Sequence, residues 1–99
     1  GYFVNGYLSD STPLQNYRVV ASEGDIMVVT MRSADFDSQL ELYDAGGNFM
    51  TVDADCGGDL AAETTYTIPQ RGEYIITATE WWSEIGIIGG DYTLSLQRQ

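Results

Sequence analysis

Three carboxylates and two adjacent glycines fall within seven residues of this chain, in the segment 53–59 (DADCGGD). The acids are Asp53, Asp55 and Asp59, and strand-like runs lie on either side of them. Neighbouring carboxylates repel each other unless a cation balances them, and Ca²⁺ does so through oxygen ligands in a flexible geometry. The segment is therefore either a hard-cation site or a solvated acidic turn whose side chains hydrogen-bond to its own backbone. It is not an EF-hand, because Thr64 stands where that loop needs its bidentate glutamate.

The residue types that are missing exclude most catalytic chemistry. The chain has no histidine, its four cationic side chains are all arginine, and Cys56 is its one cysteine. A Ser-His-Asp triad, a Cys-His pair and a Schiff-base lysine cannot be built from it, and zinc or copper would lack nitrogen and sulfur ligands. Fifteen acids supply many accidental carboxylate pairs and no basis for choosing one. We predict that the chain is not an enzyme.

Length and charge narrow the class of protein further. The 99 residues suffice for one domain with a single core, spanning 1–99. A formal charge of −11 repels nucleic-acid phosphates and anionic lipid, and the apolar runs are too short to span a membrane. One cysteine demands neither an oxidising nor a reducing compartment. Since the first residues already follow a strand pattern, we expect a mature product or an excised domain.

Apolar residues alternate with a period of two along most of the chain, which predicts an all-β fold. In the segment 25–32 both faces are apolar, so this strand should be central. Gly46 and Gly47 supply the hairpin turn that follows the next strand. The predicted strands are 2–8, 15–21, 25–32, 38–43, 49–52, 64–68, 73–79 and 91–97. About eight short strands with turn signals every eight to twelve residues favour an antiparallel two-sheet β-sandwich or jelly roll.

The order of these signals resembles the bacterial pre-peptidase C-terminal domain, a β-sandwich appended to secreted peptidases and other exported enzymes. The resemblance covers nearly the whole chain and includes two Gly-x-Tyr strand starts, in which the tyrosine ring packs at the sheet end with its hydroxyl near solvent. The matching segments are 6–9 (GYLS), 17–21 (YRVVA) before 23–25 (EGD), 36–44 (FDSQLELYD), the acidic segment, 68–76 (IPQRGEYII) and 90–96 (GDYTLSL).

This resemblance implies a jelly-roll-like sandwich that serves as a non-catalytic accessory domain of an exported bacterial enzyme, in most cases a peptidase. Its parent enzyme domain would be its partner, its location secreted or at the cell surface, and its role substrate or surface attachment, or help with secretion and folding. Several members carry Ca²⁺ on strand-end acids. The predicted ligands here are Asp35, Asp37, Asp53, Asp55 and Asp59.

Two other functions remain open from the residues. Trp81 and Trp82 sit in the longest connection of the second half, and an exposed indole is a common platform for sugar rings or peptide side chains. Because neighbouring residues in a strand point to opposite sides, we expect one of the two to be buried and one exposed. The chain would then be a carbohydrate-binding module with a polysaccharide ligand. The third hypothesis, from charge alone, is an acidic protein that binds a basic partner.

Overall fold

The computed structural model describes residues 2–9, 11–54, 61–80 and 89–98, with the backbone alone at residues 2 and 52–54. The regular structure in these ranges is entirely β, and none of it is a helix that could cross a membrane. The eight strands are β1 (Tyr2–Leu8), β2 (Leu14–Ala21), β3 (Ile26–Arg32), β4 (Ser38–Asp44), β5 (Phe49–Ala54), β6 (Ala62–Thr67), β7 (Gly72–Glu80) and β8 (Gly90–Arg98).

The strands form two four-stranded antiparallel sheets, with the orders β1-β8-β3-β6 and β2-β7-β4-β5. Strand β1 pairs with β8, β2 with β7, β3 with β6 and β4 with β5. These nested pairs describe one long hairpin that has rolled up on itself, so successive pairs alternate between the two sheets. This is the jelly-roll order, and the predicted antiparallel sandwich of eight strands is confirmed.

The core lies between the sheets because each strand turns every second side chain inward. In β3 the buried residues are Met27, Val29 and Met31, and the strand is flanked by β8 and β6, which confirms its predicted internal position. The other strands contribute in the same register, and Phe36 from the β3–β4 connection packs edge-on against the ring of Tyr92. The remaining buried hydrophobic residues include Leu8, Ala21, Leu40, Leu42, Ala62, Ile68, Tyr74, Ile76, Ala78, Leu94 and Leu96.

The strand limits differ from the prediction most at β6. The strand begins at Ala62, two residues before the predicted start, and Ile68 lies just beyond its end. The small side chains of Ala61 and Ala62 are both buried, but alanine gives only a weak period-two signal. The sequence therefore did not predict that the strand begins here. Ile68 closes the turn instead, since its N–H donates to the carbonyl oxygen of Asp25 at 2.8 Å.

Two tyrosines at the strand starts close the ends of the sandwich with hydrogen bonds. The Tyr74 hydroxyl donates to the carbonyl oxygen of Gln70 at 2.7 Å. The Tyr92 ring crosses Gly6, where a β-carbon would collide with it, and its hydroxyl contacts the side chains of Gln15 and Tyr17. Both tyrosines are 2% exposed, so the expectation of hydroxyls near solvent is wrong. Protein acceptors replace water because the rings lie fully inside the sheet ends.

Candidate functional site

The backbones of three predicted metal ligands, Asp35, Asp37 and Asp53, lie at one end of the sandwich. In the β4–β5 pair Gln39 lies opposite Ala54, and Leu40 lies opposite Asp53. Asp37 directly precedes β4, so its backbone and that of Asp53 share the same end of this sheet. We name this end of the molecule, where β3, β5 and β7 finish and β4, β6 and β8 begin, the acidic rim. Antiparallel pairing thus places the backbones of two acids that are sixteen positions apart in the sequence at the same end of a sheet.

Two of the five predicted ligands, Asp55 and Asp59, lie outside the described residues, as does the side chain of Asp53. Within the described part of the chain, no three acidic or thiol side chains are grouped closely enough to hold a metal ion. Asp35 and Asp37 therefore do not complete a site with the other described acids. The metal ligand set stays a prediction.

Asp35 has a structural contact that the sequence did not reveal. Its Oδ2 accepts the backbone N–H of Asp91 at 2.9 Å, which links the β3–β4 connection to the start of β8. Ser33 supports the same connection, because its hydroxyl donates to the carbonyl oxygen of Asp91 at 2.7 Å and accepts the N–H of Asp35 at 3.0 Å. These bonds hold the backbone that carries both Asp35 and Asp37 against the first sheet.

Two further polar residues at the acidic rim were missed from the sequence. Glu80 ends β7, is 6% exposed, and accepts the backbone N–H of Gly89 at 2.9 Å through Oε1. It pairs across the sheet with Ser38, whose fully buried hydroxyl has no hydrogen-bond partner among the described residues. The signal for Glu80 was its register, since it lies two residues after the inward-facing Ala78.

Three described side chains, those of Tyr43, Asp44 and Tyr92, have displaced pKa values, and none of the displacements favours acid–base catalysis. Burial and a hydrogen bond with Tyr17 raise the pKa of Tyr92. A hydrogen bond to Glu41 and burial raise that of Tyr43. The backbone N–H of Asn48 leads the contacts that lower the pKa of Asp44. A neutral tyrosine and an ionised aspartate have pKa values far from pH 7, so they are poor proton-transfer groups at that pH.

The other sequence candidates lie outside the described residues. Trp81 and Trp82 belong to the connection between β7 and β8, and Cys56 belongs to the acidic segment after β5. Their exposure stays a prediction. The structure describes the two ends of the tryptophan connection: it begins after the buried Glu80 at the end of β7, and it reaches β8 through Gly89.

No known family profile matches the sequence, and no curated protein is significantly similar to it. Solved structures do match. One is the pre-peptidase C-terminal domain of collagenase from Bacillus anthracis, with a TM-score of 0.74, 15% identity, and coverage of 97% of this chain and 88% of that chain. The chain shares the fold of a pre-peptidase C-terminal domain. The resemblance inferred from the sequence motifs is thus confirmed in three dimensions.

The pre-peptidase C-terminal fold is not restricted to one task. PliG of Aeromonas hydrophila, a periplasmic inhibitor of g-type lysozyme, matches with a TM-score of 0.75, 16% identity, and coverage of 99% of this chain and 85% of that chain. At these identities the likeness shows the fold alone. Function must therefore be argued from the sites on the fold.

Proposed function

We propose that this chain is a non-catalytic accessory domain of an exported bacterial enzyme, most simply a peptidase, and that it attaches the enzyme to its substrate or to a surface. The observation that carries the proposal is the match in fold to a collagenase's pre-peptidase C-terminal domain over 97% of this chain. Two facts support it. The sequence has no histidine or lysine, and the displaced pKa values do not suit proton transfer.

The attachment role is tested with the chain fused to a fluorescent protein. The fusion is incubated with insoluble collagen, keratin, chitin and cellulose, and the sedimented fluorescence is compared with that of the fluorescent protein alone. We expect retention on at least one of these materials and no hydrolysis of labelled casein by the isolated chain. Equal sedimentation of fusion and control on all four would refute attachment, and inhibition of a g-type lysozyme would favour the other function found on this fold.

We further propose that Ca²⁺ stabilises the acidic rim. The donor set fits a hard cation, since Asp35, Asp37 and Asp53 offer carboxylate oxygens and the backbone pairing brings the last two to one end of a sheet. The buried Ser38 hydroxyl, which has no partner in the part of the chain that the structure describes, supports the fit, because a buried oxygen without a hydrogen bond is costly. The cation's chemistry would be structural, balancing the repulsion between these acids.

Thermal unfolding tests the Ca²⁺ proposal. If Ca²⁺ binds with a Kd of about 0.1 mM, 10 mM Ca²⁺ stabilises the folded chain by about 2.7 kcal/mol, which raises Tm by roughly 10 °C or more. We expect this rise in the wild type, a smaller one in Asp37→Asn, and an undiminished one in Asp44→Asn. The last variant is a matched control, because Asp44 lies at the other end of β4. No rise in the wild type, or an equal rise with Mg²⁺, would contradict the proposal.

A further inference from the structure

An open groove of about 810 Å³ lies on the outer face of the first sheet, beside the β3–β4 connection. Its size falls within the range of small-molecule binding sites. The polar side chains that line it come from three neighbouring strands and the connection: Asn5, Arg32, Asp35, Asp91 and Thr93.

Strand register places the groove's side chains in a compact array. Thr93 of β8 lies opposite Asn5 of β1 on one side and opposite Arg32 of β3 on the other, so the three form one row across the sheet. Asp91 is two residues from Thr93 on the same face, and it is therefore a diagonal neighbour of both outer residues, about 7–8 Å away. Amide, hydroxyl, guanidinium and carboxylate groups all face solvent within this array.

Exposed aromatic rings flank the array on β1. Phe3 is 65% exposed and lies opposite Ser95, one row beyond Thr93 in one direction. Tyr7 is 58% exposed and lies opposite Asp91, one row beyond in the other direction. Four residues of strand separate the two rings' backbones by roughly 13 Å, with Asn5 between them. Aromatic faces on both sides of Asn5, at one end of the polar row, suit a ligand that combines apolar ring faces with polar edges.

The charges in the groove disfavour a polyanionic ligand and offer both a donor and acceptors to a hydroxyl group. Arg32 forms no ion pair with any described residue, which leaves its guanidinium free to donate. Asp91 is exposed and accepts hydrogen bonds, whereas one oxygen of Asp35 is already engaged by the Asp91 N–H. A polyanion is repelled by these two carboxylates and by the net charge of −11, whereas a polycation is attracted by them and meets a like charge at Arg32. A hydroxyl group, which both donates and accepts, satisfies the arginine and the aspartate alike.

We propose that this groove binds a neutral oligosaccharide, whose hydroxyl groups bond to Asn5, Arg32 and Asp91 while its sugar rings lie against Tyr7 or Phe3. The inference deepens the proposed attachment role and rests on it for its biological meaning. The binding itself is measured with soluble sugars, so its failure is distinguishable from failure of the fusion protein to sediment with insoluble material.

The test is an NMR titration of the isolated ¹⁵N-labelled chain with soluble hexasaccharides of cellulose, xylan, mannan and chitin. A polygalacturonate hexamer, a neutral unstructured peptide and a lysine-rich peptide represent the competing ligand classes. We expect saturable shifts of the backbone amides of Asn5, Arg32 and Thr93 with at least one neutral sugar. The Arg32→Ala variant should bind that sugar about tenfold or more weakly, the effect of losing one hydrogen bond to a charged group.

Arg71→Ala is the matched control. Arg71 is equally exposed, its removal changes the net charge by the same amount, and it precedes β7 at the end of the sandwich away from the acidic rim. Asn5→Ala supplies a second, uncharged test of the same row. The proposal is overturned if no neutral sugar shifts these amides, or if Arg32→Ala and Arg71→Ala bind equally well. It is also overturned if the polygalacturonate or either peptide binds more tightly than every neutral sugar.

Discussion

Replacing Gly90 with alanine should destabilise the fold far more than the same change at Gly72, although each glycine opens a Gly-x-Tyr strand start. Gly90 has a φ of 136°, which disfavours any other residue, and an added β-carbon would lie 2.5 Å from Cβ and 2.7 Å from Cγ of Asp35. At Gly72 nothing lies within 4 Å of such an atom. The two glycines therefore meet different steric conditions.

The magnitude follows from two terms. Backbone strain at the positive φ costs of order 1–3 kcal/mol. Displacement of Asp35 also breaks its exposed hydrogen bond to the Asp91 N–H, which adds about 1 kcal/mol. Gly90→Ala should thus lose roughly 2–4 kcal/mol of unfolding free energy. Gly72→Ala should change it by less than about 1 kcal/mol, and towards greater stability, because alanine restricts the unfolded chain.

Urea unfolding in EDTA, followed by tryptophan fluorescence, measures both variants. An Asp35→Gly background removes the obstructing side chain, so Gly90→Ala should cost less there than in the wild type, and the difference is the steric part. Equal losses for the two alanine variants would refute the reasoning. So would a cost at Gly90 that does not depend on Asp35.

Three other changes test the hydrogen bonds at the ends of the sandwich. Tyr74→Phe should lose about 1–3 kcal/mol of unfolding free energy in urea, because it leaves the Gln70 carbonyl without its donor; an unchanged midpoint would show that water takes the place of the hydroxyl. The folded pKa of Tyr92 is raised above its ordinary 10.0, so the stability that this group contributes is fully present below pH 10 and is lost as the pH rises through the folded value. The unfolding free energy of Tyr92→Phe should therefore decline less steeply in alkali than that of the wild type. Parallel curves for the two proteins would contradict this. The folded pKa of Asp44 is lowered from 3.8, so the stability that its carboxylate contributes is present above that pH and is lost as the pH falls through the folded value. The difference in unfolding free energy between the wild type and Asp44→Asn should therefore disappear in acid. A difference that stays constant with pH would contradict this prediction.

The proposed sugar groove and the proposed Ca²⁺ rim meet in the β3–β4 connection. Ser33 and Asp35 hold this connection to the start of β8, and Asp91 of β8 contributes to the groove. Stabilisation of the rim by a cation would also hold the groove's lining in place. Repeating the sugar titration in the presence of Ca²⁺ would therefore report on both sites together.

Most of the fold could be predicted from the sequence because its strands are amphipathic. In β7 and β8 alternate apolar residues mark the buried face directly, and both strands were placed to within one residue at either end. The prediction was weakest at β6, where the small Ala62 carries the first inward position. Alternation with a period of two is a local property of the sequence. It therefore identifies strands and their buried faces, but not which strands become neighbours in a sheet.

The candidate site depended on that missing information. The sequence picked out Asp35 and Asp37 as acids before a strand, and only sheet pairing placed Asp37 at the same end as the backbone of Asp53. Glu80 and Ser38 were passed over, because a single acid at a strand end and a lone serine carry no local signal of burial. The groove was missed for the same reason, since Asn5, Arg32 and Thr93 come from three strands that are far apart in the chain.

By itself the sequence determined the all-β class, the strands and their buried faces, and the lack of common catalytic groups. Alternation is a property of a few neighbouring residues and composition is a property of the whole chain, so neither depends on how the chain folds. The tertiary structure decided which of two identical glycine motifs is sterically required, which acids share a rim, and which polar side chains line a groove. Those outcomes depend on distances between residues that only strand pairing brings together.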